Sequence, residues 1–562
     1  MPAITSRLSP SSDLFRQRRE AMLALLAKAS AAIDAAAERS ARAGPRFEKR
    51  GQLLPRERLA RLLDPGAPWL ELSPLAGYQS RTAKGEGMAA GAGVITGIGF
   101  VSGVRCVVNV SDSGIDAGAI QPMGREKILR GQDIALENRL PYIQLIESAG
   151  ANLLAYKVEG FVEGGRIFYN LARLSAAGLP VIAVVHGSST AGGAYMPGLS
   201  DHVIMVRDRA KAFLAGPPLL KAATGEIATD EALGGALMHC RVSGLGEYLA
   251  EDDAHALAIA RELLEKLNWS PKVTPRDRRD TSFAGARSAA GSADMRPTDH
   301  CDPLAPRYPT DELAGIMPVD LREPIDMREI IARLVDRSEF LESAADYGPQ
   351  TVCGLAAIHG MAVGIITNNG PIDTAGATKA THFIQSCCQS GTPLLYLQNT
   401  TGYLVGTAPE QGGMIKHGSK MIQAVSNANV PSITIHCGAS YGAGNYGMCG
   451  RAFGARFVFS WPNARTAVMG GEQAALTMRI VAETGAARKG EQADAAQLDA
   501  LSARIVDNFE AQAGAIHTSA LMLDDGIIDP RDTRRVLAFA LATCAEAQTR
   551  EVRPVQFGVA RP

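Results

Sequence analysis

The feature that most constrains this chain is that it is written twice. The segment Leu140–Gly150 reads like Thr392–Gly402, a displacement of 252 from Gly150 to Gly402. The segment Leu179–Gly187 resembles Val430–Gly438 at a displacement of 251, and the glycine pairs Gly99/Gly360 and Gly114/Gly370 follow at 261 and 256. Near-constant offsets over four markers identify a tandem duplication, and each copy must then fold as a similar unit. Short apolar runs such as Ile143–Ile146 and Val181–Val185 read as buried strands. Helical patterns alternate with them. Ile128 and Leu129 share a face with Ala135 and Leu136, and Phe383, Ile384, Cys387 and Cys388 form a second stripe. Strands alternating with helices predict an α/β fold with much parallel pairing.

A chain of 562 residues exceeds what one core supports, in keeping with two units. Pro271 to Pro303 is rich in small, polar and charged residues and reads as an exposed linker. A formal net charge of -1 provides neither a nucleic-acid stripe nor a polybasic membrane patch. No apolar run reaches the length of a membrane span. Nine cysteines without a CxxC repeat are expected to be reduced thiols, with neither disulfides nor metal, which points to the cytoplasm. The apolar stretch Ala21–Leu26 is flanked by Arg16, Arg18, Arg19 and Lys28, so it reads as part of a helix capped near Ser12 rather than a signal peptide.

Glycine, at 58 residues, is over-represented, and it concentrates after the strands. His186–Tyr195 and Gly438–Gly447 are both small-residue turns that leave a strand and open a helix. Such a turn leaves N–H groups unpaired at the positive end of the helix, where they can hold an oxygen that becomes negative during reaction. Two copies imply two such oxygens, one on each of two reactants. The plainer alternative is that the glycines only permit tight turns. A competing chemical reading comes from Gly438-Ala439-Ser440-Tyr441-Gly442, which fits the G-x-S-x-G elbow of serine hydrolases with His517 downstream. In the first copy Ser189 occupies the serine position but Ala191 replaces the closing glycine.

Longer blocks resemble a known family. Phe213–Glu226, Trp461–Arg465 and Asp524–Arg534 resemble the carboxyltransferase (beta) subunits of biotin-dependent acyl-CoA carboxylases. Asn445–Gly450 together with Met469–Ala474 resembles the branch acting on 3-methylcrotonyl-CoA and geranyl-CoA, and the likeness runs from about Lys49 to near residue 550. It implies two crotonase-like (ββα superhelix) domains. These divide the chain into an N-terminal helical extension 1–45, an acyl-CoA-side domain 46–270, a linker 271–305 and a biotin-side domain 306–562.

By the same resemblance, Gly192 and Gly193 hold the acyl-CoA thioester oxygen, and Ala443 and Gly444 hold the ureido oxygen of biotin. Ala149, Gly150, Ala194, Thr401, Gly402, Lys127 and Lys379 are further candidate substrate contacts; the lysines, 252 apart in keeping with the repeat offset, would meet CoA phosphates or the transferred carboxylate, or lie solvated on helices. His186 and His436, 250 apart ahead of turn glycines, read as structural. No Ala-Met-Lys-Met sequence and no phosphate loop occur, so biotin is expected in trans, on an alpha subunit with biotin carboxylase and biotin carrier domains. The resemblance also implies a dimer-based homo-oligomer, a hexamer, with the active site shared between the first domain of one subunit and the second domain of its mate. Asn368–Asp373, Glu147–Leu153 and the small Gly198 look closer to geranyl-CoA carboxylases, with 3-methylcrotonyl-CoA as the alternative acceptor. A biotin-dependent decarboxylase subunit, running the transfer backwards beside a membrane partner, is the remaining alternative.

Overall fold

The computed structural model describes residues 2–80, 87–148, 158–269, 302–318, 320–490 and 492–560. Contacts gather into two compact units. One comprises Ser30–Pro297 with Ala520–Met522 and Ala542–Pro562; the other comprises Met1–Ala29, Thr298–Ser519 and Leu523–Leu541.

The first unit is built on an eight-stranded sheet. Its strands are β1 (Leu70–Leu72), β2 (Val94–Val101), β3 (Val104–Ser111), β4 (Tyr142–Ser148), β5 (Val181–Thr190), β6 (His202–Val206), β7 (Lys211–Phe213) and β8 (Tyr248–Ala250). They are ordered β1-β2-β3-β4-β5-β6-β8, with β7 beside the end of β5. The second unit repeats the plan with β9 (Leu341–Ser343), β10 (Thr351–Ile358), β11 (Met361–Asn368), β12 (Leu394–Thr400), β13 (Ser432–Tyr441), β14 (Phe457–Ser460) and β15 (Arg465–Ala467). Here the order is β14-β13-β12-β11-β10-β9, and β15 lies beside β13. In both sheets an antiparallel hairpin leads into parallel strands. All of β4 is buried, as a strand covered on both faces must be.

The duplication extends to individual hydrogen bonds. The hairpin β2–β3 turns through Ser102 (φ 50°) and Gly103 (φ 75°), and β10–β11 turns through His359 (φ 48°) and Gly360 (φ 76°). Two left-handed residues in a two-residue loop are the geometry that matches strand twist. Asp64 accepts from the N–H groups of Ser102 and Gly103 at 2.8 and 2.7 Å, and Asp336 accepts from those of His359 and Gly360 at the same distances. Each aspartate is also ion-paired at 2.8 Å, to Arg261 in one unit and Arg534 in the other. Gly360 therefore corresponds to Gly103. The sequence pairing of Gly360 with Gly99 was misplaced, because Gly99 lies inside β2 opposite Cys106.

The helices Pro122–Glu137 and Thr374–Ser390 follow the hairpins. Of their expected apolar stripes, Ile128, Leu129 and Ala135 in the first and Phe383, Ile384 and Cys387 in the second are buried, while Leu136 and Cys388 at the stripe edges are half-buried. Asp373 caps the second helix by accepting from Gly376 N–H at 2.6 Å, and Gly391 at φ 69° ends it. Near the start of the chain, the Ser12 hydroxyl accepts from Phe15 N–H at 3.2 Å, which opens the helix Asp13–Ala41 as its sequence predicts. The linker expected at 271–305 lies outside the described residues except for 302–305.

Candidate active site

Both glycine turns leave the ends of equivalent central strands. In the first unit β5 ends at Thr190, Ala191 turns left-handed at φ 55°, and a short helical turn Ala191–Ala194 follows. In the second unit β13 ends at Tyr441, Gly442 turns at the same φ of 55°, and the helical turn Gly444–Gly447 follows. The turn is thus the same with and without a glycine at its first position. The left-handed conformation costs Ala191 roughly 1–2 kcal/mol, which the surrounding packing must offset.

The next two residues repeat a pattern of exposure: Gly192 is exposed and Gly193 buried, and Ala443 is exposed and Gly444 buried. Outside their own short helices, the N–H groups of these four residues meet no described backbone acceptor. They are orphan donors at helix starts, able to receive an anionic oxygen.

Each turn is braced from below by a serine, Ser189 or Ser440, equivalent in strand register. Ser189 Oγ donates to Gly193 O at 2.8 Å, fixing one peptide of the turn directly. Ser440 Oγ instead donates to Gln398 Oε1 at 2.5 Å and accepts from Asn445 Nδ2 at 2.7 Å. Ser440 is fully buried within β13 rather than raised on an elbow, and no described histidine hydrogen-bonds to it. A nucleophilic serine needs an adjacent base, so the hydrolase reading loses its geometry.

Of the other expected contacts, Gly402 (φ 116°) packs against Gly444. A Cβ added to Gly444 would lie 2.9 Å from Gly402 Cα and 2.8 Å from Thr400 Cγ2. Thr401 beside it is exposed, and Ala194 is half-buried on the first turn. Ala149 and Gly150 lie outside the described residues.

Lys127 and Lys379 sit on equivalent helices, but both are interior, at 1% and 4% exposure. Burial holds the Lys127 ammonium down at about 8, countered by nearby Glu71, and its Nζ has no hydrogen-bond partner in the described structure. Lys379 Nζ donates to Ala344 O at 3.2 Å. Neither is a solvated surface lysine.

His186 and His436 are not register equivalents. Val185 pairs with Ile146, while His436 pairs with Gln398, so the two histidines are one residue out of step and point to opposite faces. His186 Nδ1 meets Asp253 Oδ1 at 2.8 Å, and burial, reinforced by Arg58, lowers its ring below the usual histidine range. His436 Nδ1 meets Ser460 Oγ at 3.2 Å, and burial depresses it to about 4.

Sequence reasoning passed over the charged groups beneath the first turn: Arg58, Asp253 and the side chain of Glu147. Arg58 donates to Glu147 at 2.6 Å and to Asp253 at 3.1 Å, wholly inside the unit. Only their residence in a strongly patterned block, for Arg58 the run Lys49–Arg58, offered a signal.

Among the described residues no group of three or more His, Cys, Asp or Glu side chains is placed to hold a metal ion, and no helix is long and apolar enough to cross a membrane.

Comparison with known proteins identifies the family. The family model for the carboxyl transferase domain matches residues 46–557. A Mycobacterium tuberculosis protein described as "Probable biotin-dependent acyl-coenzyme A carboxylase beta2 subunit" is 46% identical over 99% of this chain and 100% of its own length. The biotin-dependent 3-methylcrotonyl-coenzyme A carboxylase beta1 subunit of the same organism is 44% identical over 91% of this chain and 92% of its own. The crystal structure of the Pseudomonas aeruginosa geranyl-CoA carboxylase beta subunit superposes with a TM-score of 0.89 at 50% identity, covering all of both chains. The two repeated units are accordingly tandem crotonase-like domains. The chain belongs to the carboxyl transferase family and is the carboxyltransferase (beta) subunit of a biotin-dependent acyl-CoA carboxylase.

Proposed function

We propose that this chain carboxylates a branched enoyl-CoA, geranyl-CoA or an isoprenoid thioester of similar shape. The carboxyl group arrives on biotin carried by an alpha subunit. The observation that carries the reading is the recurrence of one turn, with orphan helix-start donors, at the same strand end of two homologous units. Gly192 and Gly193, with Ala194, Ala149 and Gly150, form the acyl-CoA side, within 46–270. Ala443 and Gly444, with Thr401 and Gly402, form the biotin side, within 306–562. Residues 1–45 are the helical extension and 271–305 the linker.

The second turn suits a flat urea-like ring. Gly402 and the Thr400 side chain pack so closely on Gly444 that position 444 has no room for a side chain of its own, which leaves its backbone N–H as its functional group. When bound, carboxybiotin supplies the carboxyl group and a ureido nitrogen able to accept a proton. The chain's own part is to hold two oxygens. Donors at Gly192 and Gly193 stabilise the negative charge that develops on the thioester oxygen as a proton leaves the conjugated γ carbon. Donors at Ala443 and Gly444 stabilise charge on the ureido oxygen. Each such donor is worth roughly 2.7–4 kcal/mol, and holding both reactants in place supplies much of the remaining acceleration. Lys127 and Lys379 enter as interior charges on the helices Pro122–Glu137 and Thr374–Ser390 rather than as phosphate contacts, because both are buried.

For the long acceptor, the support is the 50% identity to the geranyl-CoA enzyme and the open space at Gly198, where an added Cβ would meet nothing within 4 Å. The 44% identity to a 3-methylcrotonyl-CoA enzyme favours the shorter acceptor as the second reading. The working assembly in this proposal is cytoplasmic, dimer-based and hexameric, with the first domain of one subunit facing the second of its mate.

The test is to purify the chain with its alpha subunit and follow ATP-dependent fixation of labelled bicarbonate on geranyl-, 3-methylcrotonyl-, propionyl- and acetyl-CoA. Geranyl-CoA is expected to be the best acceptor and 3-methylcrotonyl-CoA the next. Propionyl-CoA as the best acceptor would refute the branch. A chain that pairs only with a membrane-embedded partner and releases CO2 from a carboxylated thioester would mark the decarboxylase instead.

A further inference from the structure

The two turns rest on different side chains: a glutamate ion-paired to an arginine lies under the first, whereas under the second the carboxylate of Asp524 reaches His436 only through Ser460. Between the pairs Ile146↔Val185 and Ser148↔Ser189, β5 places three residues, His186, Gly187 and Ser188, opposite the single residue Glu147. The second copy repeats the bulge, with Cys437, Gly438 and Ala439 opposite Asn399. In each copy the opposed side chain fills the bulge. A Cβ on Gly187 would lie 2.7–2.8 Å from Glu147 Cγ, Cδ and Oε1, and one on Gly438 would lie 2.5 Å from Asn399 Oδ1. What differs is charge. Asn399 is neutral and accepts from Ala439 N–H at 3.3 Å. Glu147 is a buried carboxylate, which must be balanced to be tolerated.

Arg58 supplies that balance and ties in a second carboxylate. Its Nη1 donates to Glu147 Oε2 at 2.6 Å and its Nε to Asp253 Oδ2 at 3.1 Å. Asp253 in turn meets His186 Nδ1 and accepts from Leu53 N–H, both at 2.8 Å, while Gln52 Nε2 donates to His186 O at 3.0 Å. Of the three bulge residues, His186 is held at both its ring and its carbonyl, and Gly187 is packed against the Glu147 side chain. The strand runs from them through Ser189, whose hydroxyl holds Gly193 O, straight into the turn.

We propose that Glu147, Arg58 and Asp253 are positioning residues for the acyl-CoA reaction, a buried ionic bracket that sets the bulge of β5 and through it the donors of Gly192 and Gly193. This rests on the assignment of that turn to the thioester. A buried charged network gives a stiff foundation where its bonds are made, here at Arg58 Nη1 and Nε and at His186 Nδ1, while Arg58 Nη2 and His186 Nε2 have no partner among the described residues. Stiffness matters because a displacement of about 1 Å from a group away from the chemistry can lower turnover by about 100-fold. The biotin-side turn, whose opposed residue is the neutral Asn399, makes none of these contacts and is independent of the bracket.

The test uses the complete enzyme with its alpha subunit and the near-isosteric variant Glu147→Gln, with Asp253→Asn as a second entry to the same network. Forward kinetics give kcat and KM for the acyl-CoA. The reverse reaction, with free biotin as carboxyl acceptor, gives KM for biotin. The expected result is a 10- to 100-fold fall in kcat, on the order of the positioning effect above, with KM for acyl-CoA changed and KM for biotin within about twofold of the parent. Asn399→Asp, which buries an unbalanced carboxylate in the second bulge, should instead raise KM for biotin. Unchanged kinetics in both bracket variants would overturn the proposal, as would equal rises in both KM values alongside a lower melting temperature. Gly193→Val separates the two levels. If it is inactive while Glu147→Gln is normal, only the bracket fails; if it turns over normally, the site assignment fails and the bracket with it.

Discussion

An alanine at Gly444 would put its Cβ 2.8 Å from Thr400 Cγ2, 2.9 Å from Gly402 Cα and 3.1 Å from Thr400 Oγ1. Two of these contacts are shorter than carbon atoms tolerate, and one is to backbone. Gly402 cannot retreat freely, because its carbonyl accepts from Ile372 N–H at 3.0 Å and its own φ is 116°. Overpacking of this kind costs about 1–3 kcal/mol. The same change at Gly193 meets only Ser189 Oγ at 3.5 Å, an ordinary contact, so it should stay within about 0.5 kcal/mol of the parent. The equivalent residues of the two copies thus respond oppositely to one methyl group. Chemical denaturation of each variant reads the stability difference. Reverse transfer to free biotin reads the site, where Gly444→Ala should raise KM for biotin by up to about 100-fold if the whole strain is expressed in binding. A Gly444→Ala enzyme as stable as the parent, with unchanged KM for biotin, would refute the close packing of Gly402 on the second turn as the reason glycine stands there.

Three further outcomes are expected. Asp253 is held at about 2 because, although burial alone would raise it, the His186 hydrogen bond and Arg58 pull it down. A carboxylate depressed in the folded state contributes stability that is present above its unfolded value near 4 and is lost as pH falls toward 2. Asp253→Asn should therefore flatten the stability–pH curve in that window by about 2 kcal/mol in acid titration of unfolding, and an unchanged curve would remove the ion pair from the account. Lys379→Met should leave KM for acyl-CoA within about twofold, since the lysine is interior; a tenfold rise would make it a substrate contact. Ser440→Ala should lose about 1–3 kcal/mol of stability by unpairing Gln398 and Asn445 yet retain carboxyl transfer, and the parent chain should show no fluorophosphonate labelling. Labelling of Ser440 would revive the hydrolase reading.

Much of the architecture was legible because duplication leaves offsets in the sequence. β4 and β12 differ by 252 and β5 and β13 by 251, as the repeated strings indicate. The helix stripe around Phe383 was legible from period alone, since one face of that helix meets a core. Single-residue markers did less well. Gly99 and Gly360 look alike in sequence, but only pairing register reveals Gly103 as the true counterpart, and a slip of one residue puts His186 and His436 on opposite faces. The bracket was not legible. Arg58, Glu147 and Asp253 are separated by about a hundred residues each, and ionic contacts between distant segments leave no periodic trace. Lys127 shows the same limit: a charged residue on a helix reads as solvated until packing shows it interior.

The most direct measurement is a structure of the complete alpha–beta enzyme holding an enoyl-CoA and biotin together. The thioester oxygen should lie about 2.7–3.1 Å from the N–H groups of Gly192 and Gly193, and the ureido oxygen the same distance from those of Ala443 and Gly444, with the reacting carbon and nitrogen facing one another. If either oxygen sits against other groups, or the two turns open onto solvent on separate faces of the assembly, carboxyl transfer does not depend on this pair of turns.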